Sequence, residues 1–128
     1  MNFLLDTHTF IWFLERPERL PPRVHEIIVD SDQPLALSMA TPWEMAIKAG
    51  TGKLGNPGIL ENFELFARRC GCTVLPLTVR QAIASGGLPL RHKDPFDRLL
   101  AAQALELALT VISCDTIFDE YGVKRFWA

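Results

Sequence analysis

Several familiar chemistries are excluded by what this chain lacks. It holds three cysteines. Their odd number, with Cys70 and Cys72 one residue apart, speaks against a disulfide framework and for reduced thiols buried as small apolar residues. Cys70-x-Cys72 with three scattered histidines does not make a zinc pattern. No apolar run approaches the roughly 20 residues needed to span a bilayer; Phe10 to Leu14 is stopped by Glu15. The first residues carry neither a basic lead-in nor a small-residue cleavage site, so no signal peptide is expected and a cytoplasmic location is the default. Repeats and low-complexity tracts are absent. There is one tyrosine, and the three tryptophans are scattered, so the sequence offers no obvious platform for stacking bases. A net charge of −2 also lacks the basic excess of proteins that coat duplex DNA.

The 128 residues suffice for one compact domain, 1–128, with its own core. Strand-like and helix-like segments alternate, which predicts an α/β fold: a central parallel β-sheet flanked by α-helices. Strands are predicted at Asn2 to Leu5, Leu35 to Ser38, Thr73 to Leu75 and Thr110 to Ser113, with an edge strand at Lys124 to Phe126. Helices are predicted at Thr7 to Leu14, from Pro22 to about Asp30, at Thr41 to Ala49, at Ile59 to Cys70, at Thr78 to Ser85 and at Pro95 to Leu109. Thr116 to Glu120 reads as a short turn or helix. Gln103 interrupts the apolar face of the longest helix, and Trp12, Phe13 and Trp43 read as core residues.

Four acids stand out against this pattern. Asp6 closes Phe3-Leu4-Leu5. Glu44 lies in the first turn of the helix after Leu35 to Ser38. Asp97 lies in the first turn after Asp94-Pro95, and Asp115 follows Val111-Ile112-Ser113-Cys114. Each alone has an ordinary explanation as a helix cap, with Thr41 and Asp94 as further caps. Together they fall on one edge of the sheet, where the strands end and ligands bind. Carboxylates gathered there repel unless cations hold them, and oxygen-only donors suit Mg²⁺ or Mn²⁺. Setting these four aside turns the net charge of −2 into +2, so a nucleic-acid substrate is not excluded.

The blocks Leu4-Leu5-Asp6-Thr7-His8, Trp43-Glu44-Met45-Ala46-Ile47-Lys48, Gly52-Lys53-Leu54, His92-Lys93-Asp94-Pro95-Phe96-Asp97-Arg98 and Ser113-Cys114-Asp115 with Tyr121-Gly122 resemble the PIN domain. More narrowly, they resemble the VapC-type ribonuclease toxins of bacterial toxin–antitoxin pairs. The resemblance spans the chain in order, and the block from His92 to Arg98 is its most specific part. It implies a PIN-like α/β/α sandwich that cleaves RNA with one or two Mg²⁺ or Mn²⁺ ions, leaving a 5′-phosphate and a 3′-hydroxyl. The family's acids carry over to Asp6, Glu44, Asp97 and Asp115, as catalytic and metal-holding residues. Its small hydroxyl residue carries over to Ser113, where many relatives have Thr. The resemblance further implies a cognate antitoxin whose tail enters an apolar groove, and a homodimer or toxin–antitoxin hetero-oligomer.

Arg91, Lys93 and Arg98 flank the acid block and are candidate phosphate contacts; for Arg98 an inward salt bridge to a site acid is an equal alternative. Lys48 and Lys53 read as solvated helix-end charges. His8 and His92 are candidate proton shuttles and Asp119 a candidate extra acid. Two other readings compete. An aspartate after the first strand is also the nucleophile of aspartate-dependent phosphatases, but their second Asp, two positions on, is here His8. Alternatively, the acids hold a metal only to stabilise a non-catalytic binding module.

Overall fold

The computed structural model describes residues 2–30, 32–89 and 94–128. Five short strands, β1 (Phe3–Leu5), β2 (Leu35–Ser38), β3 (Cys72–Leu75), β4 (Thr110–Ile112) and β5 (Arg125–Phe126), form one sheet in the order β3-β2-β1-β4-β5. Every pair is parallel, with Leu5 opposite both Leu37 and Ile112. The chain winds outward from β1 through β2 to β3, then returns to the other side of β1 for β4 and β5. The strand order therefore reverses at β1, next to β4, and a crevice at the carboxyl ends of these two strands is where an open α/β sheet binds ligands.

Parallel strands joined by helical crossovers are buried on both faces, and every residue of β1, β2 and β4 is buried, including the terminal Ser38 and Thr110. On one face Phe3, Leu5, Leu37 and Ile112 pack with residues of α1 (Thr7–Glu15), α2 (Pro22–Val29), α3 (Ala40–Gly50), α4 (Pro57–Glu61) and α5 (Phe63–Arg69). On the other face Leu4, Ala36 and Val111 pack with α7 (Pro95–Leu107) and α8 (Ile117–Glu120). Helix α6 (Val79–Gly86) lies against α7. No helix among the described residues is long and apolar enough to cross a membrane.

The predicted elements are present, with five instructive differences. The single helix predicted from Ile59 to Cys70 is two helices broken at Asn62. Asn62 leaves helical geometry (φ −116°, ψ 30°), and both its backbone N–H and its side-chain amide donate to the Gly58 carbonyl, at 3.2 and 3.1 Å. Thr41 does not cap its helix. The helix starts one residue earlier, Ser38 Oγ accepts from the Ala40 amide at 3.0 Å, and Thr41 is buried inside the first turn. The longest helix ends at Leu107 because Ala108 adopts a left-handed conformation (φ 55°), and the Leu109 amide closes the end on the Ala104 carbonyl. Trp43, expected in the core, is 52% exposed, while Trp12 and Phe13 are half-buried against the larger core. Gln103, the polar interruption, is wholly buried and donates from Nε2 to the Pro76 carbonyl at 3.2 Å, tying α7 to the segment after β3. Cys70 and Cys72 are buried thiols, but Cys114 is exposed.

Candidate active site

The site grows from the ends of β1 and β4. Asp6, the first residue past β1, is 4% exposed and caps α1: its Oδ1 accepts from the Thr9 amide at 2.9 Å. Its Oδ2 accepts from Ser113 Oγ at 2.5 Å, one residue past β4. The same Ser113 hydroxyl accepts from the Asp115 amide at 2.9 Å, so one buried oxygen ties Asp6 to the turn that carries Asp115. Asp115 in turn accepts from the Ile117 amide at 3.0 Å, holding the entry to α8. Burial pushes the Asp6 carboxyl above its ordinary range; the hydrogen bonds from Ser113 and Thr9 and the nearby His8 charge oppose that rise.

Glu44 reaches the site from α3. It is 4% exposed; Thr7 Oγ1 donates to its Oε1 at 2.7 Å, and Lys48, one turn on, pairs with its Oε2 at 2.8 Å. Asp97 sits in the first turn of α7, behind the cap formed by Asp94 Oδ1 on the Phe96 amide. Its pKa is pushed up to about 8, first by burial and then by the negative charges of Asp94, Asp115, Glu44 and Asp6. A carboxylate that feels all three other candidate acids stands within their common field, which isolated helix caps do not require.

The cations around the acids have unexpected partners. Among the described residues, Arg98 bridges no acid and turns to backbone carbonyls instead. Buried to 8% exposure, its Nη1 donates to the Pro89 carbonyl, and its Nη2 faces the carbonyls of Ser85, Gly86 and Leu88 at 2.8–3.3 Å. A guanidinium matches such a ring of acceptors because all its polar hydrogens are donors. Arg98 therefore closes the end of α6 against the start of α7. Lys48 is paired with Glu44 rather than solvated, and Asp119 is held by Arg125 through two contacts of 3.1 Å. Arg91, His92 and Lys93 lie outside the described residues.

Three supporting residues were missed in the sequence. Lys48 was legible as a Glu-to-Lys pair at i, i+4. Thr7 and Arg125, whose Nη1 donates to the Ser113 carbonyl at 3.1 Å, carry no local signal; their roles depend on which strands and helices become neighbours.

The donors suit a hard divalent cation in chemistry, since all are carboxylate or hydroxyl oxygens. Among the described residues, however, no three His, Cys, Asp or Glu side chains are drawn together tightly enough to make a cage. Glu44 is engaged by Lys48 and Asp6 by Ser113, so an ion would have to draw these donors from other partners.

Comparison with known proteins agrees with this architecture. The PIN domain family model matches residues 3–124. The fold is similar to a chain of Rickettsia felis VapBC2 solved with a promoter DNA fragment (TM-score 0.72, 14% identity, all of both chains covered). It is also similar to a chain of DNA-bound VapBC from Salmonella typhimurium (TM-score 0.67, 20% identity, 98% of this chain and 97% of that one). A third likeness is to a chain of FitAB bound to the IR36 DNA fragment (TM-score 0.63, 25% identity, 97% and 93%). Comparison with curated proteins gave no match. With a family model covering nearly its whole length and the parallel sheet to go with it, the chain belongs to the PIN domain family.

Proposed function

We propose that the protein is a metal-dependent endoribonuclease, the toxin of a VapBC-type toxin–antitoxin pair. The observation that carries this reading is geometric: at the carboxyl edge of the sheet one Ser113 hydroxyl joins Asp6 to the turn of Asp115, and Thr7, the residue after Asp6, holds Glu44. Asp6, Asp97 and Asp115 would hold one Mg²⁺ or Mn²⁺, and Glu44 would serve a second. Such an ion would supply an activated water at neutral pH and positive charge at the leaving oxygen of a phosphodiester.

The chain's own residues fix the geometry. Ser113 keeps Asp6 and the Asp115 turn in one frame. Thr7 and Lys48 fix the two oxygens of Glu44. Arg125 holds the Ser113 carbonyl from β5. No side-chain nucleophile is required, and no Asp stands two residues after Asp6, so hydrolysis of RNA is favoured over a phosphoryl-aspartate route.

Partners follow from the same reading. The solved relatives are toxin–antitoxin complexes, and an apolar groove of about 890 Å³ lined by Met39, Pro42, Phe63, Leu65 and Val74 offers a seat for an antitoxin segment. A homodimer is part of the proposal. The test is substrate choice. The protein with Mg²⁺ or Mn²⁺ is offered single-stranded RNA, DNA of the same sequence and p-nitrophenyl phosphate. Cutting of RNA to 5′-phosphate ends supports the reading; turnover of the monoester alone overturns it.

A further inference from the structure

One cluster lies outside the acids and does not belong to the apolar groove. His8, exposed in the first turn of α1, meets Trp12 one turn further along the same helix face, with ring centroids 6.0 Å apart and planes tilted by 37°. Trp127 meets the same Trp12 at 6.0 Å and 55°. Trp127 leaves β5 at the carboxyl edge of the sheet, directly after Phe126, whose carbonyl accepts from the Ser113 amide. Two exposed arginines lie over aromatic faces: Arg19 Cζ is 5.4 Å from the Trp12 ring centre and Arg23 Cζ is 5.7 Å from that of Phe126. The strip therefore begins two residues from Asp6 and runs outward through His8, Trp12 and Trp127 with guanidinium groups beside it.

We infer that this strip is a stacking subsite for single-stranded RNA, binding a base and its phosphate on one side of the bond to be cut. The inference rests on the nuclease reading for what the subsite serves, and on the ring geometry for its existence. Separate half-buried rings are normally rim packing, and these do border the larger core. What sets this strip apart is its place: it starts two residues beyond Asp6 and meets the segment leaving β5 at the same sheet edge, with exposed arginines over two of the ring faces. A face covered by a surface cation is turned toward solvent, and that cover is weak, about 0.5–1 kcal/mol at an exposed site. Stacking of one base is worth about 1–3 kcal/mol, so a base can displace the guanidinium, which is then beside the phosphate. Glu15 and Glu18 lie on the same stretch, so the strip works by stacking and local contacts rather than by a broad positive field, in keeping with the net charge of −2. The sequence alone showed only scattered tryptophans; the α1–β5 proximity creates the cluster.

The test separates binding from cutting. An Asp97→Asn background is titrated with a fluorescein-labelled oligouridylate, and affinity is read by anisotropy and by quenching of tryptophan emission. Trp12→Leu is expected to weaken binding about tenfold to a hundredfold, one stacked base. Trp12→Phe, which keeps a ring, should retain most of the affinity. Arg19→Ala and His8→Ala, both surface changes, should weaken binding several-fold without altering the melting temperature. Unchanged affinity in a folded Trp12→Leu protein overturns the inference. Should that variant unfold, unchanged affinity in both surface variants does the same. A strip needed to capture a protein partner but indifferent to RNA also overturns it. If the wild-type protein cuts RNA while all these variants bind normally, the nuclease reading stands and the subsite falls. If they bind poorly but the wild type never cuts, the subsite stands and the nuclease reading falls.

Discussion

Replacing Asp97 with Asn should stabilise the metal-free protein while removing its activity. Burial and the neighbouring acids push the Asp97 pKa from the ordinary 3.8 up to about 8. Between those values the folded chain keeps a proton that the unfolded chain has lost, so folding stability falls as pH rises through this window. Above it the penalty for ionising Asp97 in place is complete. Each pKa unit corresponds to about 1.36 kcal/mol, giving a ceiling of about 5–6 kcal/mol for the full shift. Asp97 is partly open to solvent, and screening and relaxation leave an expected effect of about 2 kcal/mol. At pH 8 without divalent ions, Asp97→Asn should melt about 8 °C above the wild type, a gap that narrows toward pH 5. A saturating divalent ion should reverse the order, since an ion at a hundred times its dissociation constant adds about 2.7 kcal/mol to the protein that binds it. The assay is thermal melting in chelator and in Mg²⁺ at pH 5, 6.5 and 8. A variant less stable than wild type at pH 8 in chelator would mean that Asp97 serves the fold rather than the acid cluster, and the reasoning fails.

Other substitutions probe the scaffold of the site. Arg98→Ala should lose about 3 kcal/mol in denaturant unfolding, because the carbonyls at the end of α6 are left without their buried charged donor; Arg98→Lys should recover only part, lacking the fork. Ser113→Ala should cost about 1–2 kcal/mol and lower RNA cleavage about tenfold, since Asp6 loses a hydroxyl partner and the Asp115 turn its anchor; full activity would remove Ser113 from the mechanism. Gly71→Ala should cost about 1 kcal/mol purely through its backbone, whose φ is 73°, because a Cβ there meets nothing within 4 Å. A larger loss measured by chemical denaturation would point to a packing role not visible at this turn.

Much of this fold was readable because its signals are local. Short, largely apolar runs between helix-period segments identify buried parallel strands, and Asp94-Pro95 and Asp6-Thr7 mark helix starts that are present as capping contacts. The break at Asn62 was not readable, because it is a departure of one residue's backbone within an otherwise continuous apolar period. The positions of Asp6, Glu44, Asp97 and Asp115 could be placed on one sheet edge by counting from strands. What they bond to could not. Thr7 on Glu44, Arg125 on the Ser113 carbonyl and the four-carbonyl seat of Arg98 all join residues from different elements, and no spacing along the chain encodes them. The aromatic strip is illegible for the same reason: Trp12 and Trp127 stand at opposite ends of the chain.

The central claim is that these acids hold a divalent ion to cut RNA. Its most direct test is a mixed, end-labelled single-stranded RNA pool incubated with Mg²⁺ or Mn²⁺, with and without chelator, beside an identically purified Asp97→Asn protein. Cutting by the wild type alone, abolished by chelator, is the predicted result. Equal cutting by both proteins, or none by a folded wild type that demonstrably binds the ion, would contradict the account.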